Sequence, residues 1–150
     1  MKLFSTMGLL ATLSLLASQA VVAQPTNKGN PKANFHSPRA QDLSPINFQA
    51  AVVDSAIPTL VLFYSHTCSN SRRLIPTWKD VTESFQNSRS VQFAEVDCTW
   101  DNSYKSFCKE SGIKGYPTPM MFVKGKAPVE CTRYESTEEM TACINSAIGA

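Results

Sequence analysis

The sequence predicts an α/β fold, a central mixed β-sheet with helices on both faces. Three observations carry this reading. "TLVLFY" (Thr59 to Tyr64) is an unbroken apolar run of strand length, as expected of a strand buried on both faces. Directly after it, Leu74, Trp78, Val81 and Phe85 recur at helical spacing. Further short strands then alternate with helical stretches in the order β-α-β, helix, β-hairpin, helix.

Taken in chain order, "LSPINFQAAVV" (Leu43 to Val53) is a short helix with Ser44 as cap and Pro45 at its first position. The strand at Thr59 to Tyr64 leads into a long helix over about residues 68–86, and Pro76 is expected to kink it. "VQFAEV" (Val91 to Val96) is the second strand. "NSYKSFCKES" (Asn102 to Ser111) is a helix that stops at Gly112. "PMMFV" (Pro119 to Val123) and "VECTRY" (Val129 to Tyr134) are strands joined through "KGKAP" as a hairpin. "STEEMTACINSAI" is the closing helix, opened by a capping box from Ser136 to Glu139. The chain shows no internal repeat and no second domain.

Residues 1–23 are read apart from the fold, as a secretory signal peptide. Lys2 gives a positive start, "LLATLSLLA" (Leu9 to Ala17) is too short to span a bilayer, and "VVA" (Val21 to Ala23) ends in small residues. No later stretch is long and apolar enough to insert in a membrane. Residues 24–41, "QPTNKGNPKANFHSPRAQ", are polar and without apolar periodicity, so a disordered lead-in is expected there. The folded domain is then residues 42–148, enough for one real core. Without Lys2 the chain has 13 basic and 12 acidic residues, and nothing in that balance points to nucleic acid.

All five cysteines, Cys68, Cys98, Cys108, Cys131 and Cys143, lie after residue 23. In an oxidising compartment an odd count leaves one thiol over. The lack of a closely spaced cysteine pair, with only two histidines, argues against zinc, and no cofactor is implied. Cys68 follows a strand and opens a helix. There, unpaired backbone N–H groups and the helix dipole favour a thiolate, and Arg72 and Arg73 add positive charge. The local sequence fits equally well an ordinary small residue at a strand end, with the arginines on a solvated face.

"VLFYSHTCSNSRRLIPTW" (Val61 to Trp78) resembles the active-site segment of the thioredoxin-fold domains of the protein disulfide isomerase family. In that family a strand runs into Phe-Tyr-Ala-Pro-Trp-Cys-Gly-His-Cys-Lys, then Leu, Ala-Pro and Trp. Pro76 falls at the family's helix-kink proline. "VQFAEVDCT" and "SGIKGYPTPMMFVKGK" match two further family segments, and the resemblance spans residues 42–148. It implies a thioredoxin-like fold and a nucleophilic Cys68. It also implies a cis Pro117 facing that cysteine, with Tyr116 offering backbone groups to a client strand and Thr67 beside it.

The departures from the family pattern are specific. Ser71 stands where the family has its resolving cysteine. Leu62 replaces a buried carboxylate that handles protons, Thr67 replaces a tryptophan, and Glu135 falls where an arginine is common. His66 is read as an exposed loop residue without a role, contact with Cys68 being the lesser alternative. One sulfur can attack a client disulfide but cannot resolve the product itself. The arrangement is similar to the Cys-x-x-Ser retention proteins of the endoplasmic reticulum.

The same resemblance suggests Cys98–Cys108 and Cys131–Cys143 as bridges. Some family domains pair cysteines at the first two positions, and side chains at the second two pack together. The implied partners are protein clients with cysteines, with glutathione as a second candidate. The implied location is the endoplasmic reticulum lumen or the exterior, since "NSAIGA" carries no Lys-Asp-Glu-Leu-type signal. The competing functional classes are a monothiol isomerase, a retention or chaperone-like module, and a secreted interaction protein that keeps the fold without the activity.

Overall fold

A computed structural model of the chain describes residues 34–149. The expected leader at residues 1–23 and most of the expected lead-in lie outside the described residues. Five strands form one sheet in the order β1-β3-β2-β4-β5: β1 (Gln41–Asp42), β2 (Thr59–Tyr64), β3 (Gln92–Asp97), β4 (Thr118–Phe122) and β5 (Val129–Glu130). β2 pairs in parallel with β3 and antiparallel with β4, so the apolar run at Thr59–Tyr64 is the central strand, buried throughout.

Alternate residues of β2 face two cores. Leu60, Leu62 and Tyr64 pack with Trp78 and Val81 of α2 (Ser69–Ser84) and with Met140 and Ile144 of α4 (Thr137–Gly149). Val61 and Phe63 pack with Phe48 of α1 (Pro45–Phe48) and Cys108 of α3 (Asn102–Glu110). Helices therefore cover both faces of a mixed sheet. α2 runs on through Pro76, and the left-handed Gly112 (φ 81°) follows the end of α3.

Four expectations need correction. The stretch read as a disordered lead-in is ordered over residues 34–41. Phe35 stacks on Tyr64 with ring centroids 4.7 Å apart, Ser37 is buried, and Gln41–Asp42 adds β1 beside β3. Composition missed this because the stabilising partners are all distant in sequence. The first helix is short: α1 ends at Phe48 and continues as a π-helical turn over Gln49–Val53. β5 stops at Glu130 rather than Tyr134. Cys131 N–H still donates to Pro119 O (2.9 Å), but a proline has no N–H to return, so the ladder ends there. The capping box at α4 forms one arm as expected, and its return arm falls one residue early. Glu139 N–H donates to Ser136 Oγ (3.2 Å), while the Glu139 carboxylate accepts from Glu135 N–H (3.0 Å).

Candidate active site

β2 ends at Tyr64, and the chain turns over Ser65–Cys68, closed by the Cys68 N–H donating to Ser65 O (3.1 Å). Cys68 occupies the N-cap of α2 with extended backbone (φ −80°, ψ 126°). The first N–H groups of a helix have no partner four residues back, so they are free to serve the sulfur. The Ser71 N–H is the main influence holding the Cys68 thiol below its ordinary value. The Asn70 N–H, the Ser71 hydroxyl and the Arg72 charge add to it, and burial opposes it. Arg72 is also a clamp on the turn, its guanidinium donating to Thr67 O (3.1 Å) and His66 O (3.4 Å).

Among the described residues Cys68 is the free cysteine. Cys98 is bonded to Cys108 and Cys131 to Cys143, each pair with Cα atoms 5.8 Å apart. The half-buried Cys68 Sγ lies 3.5 Å from Tyr116 O, and the Tyr116–Pro117 peptide is cis. Ser71, one helical turn on, is buried, and its hydroxyl accepts the Ser65 N–H (3.3 Å). Thr67 is exposed, its hydroxyl paired with that of Ser65 (3.0 Å). Cys68, Ser71, Tyr116 and Pro117 are thus one cluster, with Thr67 on its rim.

Pro117 and Tyr134 border two clefts. One, of about 290 Å³, is lined by Asn70, Arg73, Thr77 and Glu135, and it carries both signs of charge. The other, of about 520 Å³, runs along Gly112 to Thr118 and reaches Met120 and Glu130. Glu135 therefore sits at the lip of the first cleft, where its carbonyl accepts from the Thr77 hydroxyl (3.3 Å).

Sequence reasoning missed two acidic residues and misread one histidine. His66 is not an idle exposed loop residue. Its Nδ1 lies 2.7 Å from Oδ2 of Asp97, a carboxylate with no exposed surface at the end of β3. Glu95 is buried beside Leu62, and its Oε1 accepts from Ser37 N–H (3.0 Å) and lies 2.8 Å from His36 Nδ1. Burial pushes the Glu95 carboxyl up to about 8, against the Ser37 N–H, which favours the charged form. The available signal was two acidic residues in the one strand-like segment "VQFAEVD", Glu95 within it and Asp97 at its end. No group of three or more His, Cys, Asp or Glu suited to a metal occurs among the described residues.

The sequence profile of the Thioredoxin family matches residues 39–146. The chain belongs to the thioredoxin family. Among relatives, it is 30% identical over 118 residues to protein disulfide-isomerase 1 of Dictyostelium discoideum, covering 79% of this chain and 32% of that protein. It is 32% identical over 104 residues to protein disulfide-isomerase like 2-2 of Arabidopsis thaliana, covering 69% and 22%. This thioredoxin-family chain thus spans a third or less of the length of those relatives. Among solved structures, the J-Trx1 fragment of ERdj5 superposes with a TM-score of 0.66 at 27% identity, covering 75% of this chain and 51% of that one. The Trx4 domain of ERdj5, at 20% identity and a TM-score of 0.65, shares the fold.

Proposed function

We propose that this domain exchanges disulfides through one nucleophilic sulfur, Cys68. The thiolate attacks a client disulfide, forms a Cys68–client disulfide and expels the other client sulfur as a thiolate. The observation that carries the reading is the sulfur inventory. Four of the five cysteines are held in two bridges, and the position one turn beyond Cys68 is a buried serine hydroxyl. No internal thiol is left to resolve the adduct, so release falls to a second client thiol or to glutathione. The first route isomerises the client, and a slow second route retains it.

Three features support the assignment of partners and place. Tyr116 and Pro117 beside Cys68, with clefts on both sides, suit an extended client segment carrying a cysteine. The protein disulfide isomerase relatives and the two bridges fit an oxidising secretory compartment, the endoplasmic reticulum lumen or the exterior. The test is mass spectrometry of the protein after incubation with a disulfide-bonded peptide. The expected product is one peptide attached at Cys68, released by added glutathione, with no oxidation of a reduced dithiol peptide. A Cys68 that stays unmodified would overturn the reading.

A further inference from the structure

A cysteine bonded to Cys68 fixes where its own neighbours in the client chain must lie. Disulfide-linked residues have Cα atoms about 5–6 Å apart, and an extended segment advances about 3.3 Å per residue. The Cys68 sulfur lies 3.5 Å from Tyr116 O, next to Pro117, and Pro117 and Tyr134 border both clefts. A segment held there sends one flank toward each cleft. The first cleft, of about 290 Å³, begins at Asn70, two residues beyond Cys68, so it receives the residues directly beside the client cysteine. Arg73 stands on its α2 side and Glu135 on the side ahead of α4. Both are exposed, and their charges are uncommitted. The Arg73 guanidinium donates to the neutral Asn70 Oδ1. Glu135 holds the fold through its backbone, its N–H donating to Glu139 Oε2 (3.0 Å) and its C=O accepting from the Thr77 hydroxyl (3.3 Å). Their neighbours are spent elsewhere, Arg72 on Thr67 O and His66 O, and Glu139 on Arg133. Among the described residues neither Arg73 nor Glu135 forms an ion pair, with each other or with a third residue.

We propose that Glu135 and Arg73 are specificity-determining residues of the Cys68 site. They select client segments that carry adjacent residues of opposite charge beside the reactive cysteine, a lysine or arginine opposite Glu135 and an aspartate or glutamate opposite Arg73. The inference deepens the disulfide-exchange reading and rests on it. Successive side chains of an extended segment point to opposite sides, so two adjacent residues meet the two sides of the cleft. Opposite charges that face an open cleft without closing on each other leave both available to what enters it. Such rim charges act on partner choice and on the rate of encounter more than on tight binding. That suits a domain whose hold on its client is the covalent bond at Cys68. The selection is for charge order, since the cleft offers both signs and a segment of one sign throughout meets repulsion on one side.

The experiment measures adduct formation at Cys68 by mass spectrometry in wild type, Glu135→Lys and Arg73→Glu. The probes are peptides whose single cysteine is capped as the disulfide with 2-mercaptoethanol. Cys68 bonds to the peptide sulfur, and the cap leaves as its thiolate. Each peptide carries one Lys, Glu or Gln at one of the two positions on either side of the cysteine. In wild type at low salt one position should favour Lys over Glu by about threefold, and Glu135→Lys should invert that ratio. An adjacent position should favour Glu over Lys, and Arg73→Glu should invert it. Both preferences should fade in about 0.5 M salt. Comparing two peptides on one variant cancels any change in the sulfur's own reactivity or in the fold. Ratios that are the same in all three proteins overturn the proposal and leave exchange at Cys68 intact. Binding of the same peptides, with serine in place of cysteine, to Cys68→Ala is followed by NMR shifts and needs no exchange. The charge pattern in that binding without any adduct in wild type would sink the proposed function alone.

Discussion

Leu62 of β2 and Glu95 of β3 are register partners, so their side chains share one face of the sheet. The carboxyl that the family places at position 62 is therefore absent, while a different buried carboxyl stands one strand over. That carboxyl is not free to serve Cys68. Its Oε1 holds the Ser37 N–H and lies against His36, binding the 34–41 segment to the sheet. Among the described residues, neither Glu95 Oε2 nor the buried Trp78 Nε1 completes a hydrogen bond, yet the indole N–H is near enough to favour the charged form.

Stability should fall with rising pH because of Glu95. Its carboxyl moves from an ordinary 4.5 in the unfolded chain to about 8 in the fold, so the folded state holds a proton that the unfolded state has released. The contribution is complete below about pH 4.5 and is lost as pH climbs through about 8. Glu95→Gln keeps an oxygen for Ser37 and cannot ionise. Urea melts at pH 4 and pH 9 should show the wild type losing stability relative to Glu95→Gln on the order of 2–4 kcal/mol. Parallel pH curves for the two proteins would rule the ionisation out.

Ser71→Cys should convert the site from one that holds adducts to one that turns over. The new thiol takes a buried position one helical turn from Cys68, on the same helix face. On non-reducing gels the mixed disulfides should diminish, and a reduced dithiol peptide should become a substrate in glutathione buffer. Unchanged gels together with an unoxidised peptide would show that Cys68 is not an exchange nucleophile.

Adding Leu62→Glu to Ser71→Cys should raise turnover by supplying a proton acceptor, but at a stability cost set by its neighbour. Two buried carboxyls would then stand side by side in the register. Combining Leu62→Glu with Glu95→Gln should recover about 1–2 kcal/mol beyond additivity in a double-mutant cycle. An additive cycle would mean that the two side chains do not interact.

The Cys68 thiol should titrate below the ~8.5 of a free cysteine, and the helix cap should matter more than charge. The Ser71 N–H leads the causes and Arg72 comes last. Arg72→Ala should therefore raise the alkylation midpoint by only a few tenths of a pH unit. Full recovery of the free-thiol value in Arg72→Ala would reverse that order.

Each bridge closes a short loop, with partners separated by 10 and 12 residues. Removing either pair by double Cys→Ala substitution should cost about 2–3 kcal/mol in a urea melt and leave the Cys68 alkylation midpoint in place. A bridge that includes Cys68 in unreduced peptide maps would contradict the sulfur inventory.

The sequence by itself determined the layered α/β architecture and where the chemistry begins. The apolar run at Thr59–Tyr64 and the stripe of Leu74, Trp78 and Val81 are local periodicities, and they forced a central strand and the helix packed on it. The cysteine at their junction and the serine three residues later are read directly from adjacent positions. What the sequence did not reveal depends on residues far apart in the chain. His66 looked idle because its partner, Asp97, is 31 positions away and meets it only when β3 aligns with β2. Residues 34–41 looked disordered because Phe35 needs Tyr64 and Ser37 needs Glu95 and Thr82 to repay the entropy of ordering. β5 looked longer because the pattern at Val129–Tyr134 says nothing of Pro119 across the ladder. Periodicity records which face a residue turns inward, and only the tertiary structure decides which distant polar group meets it there.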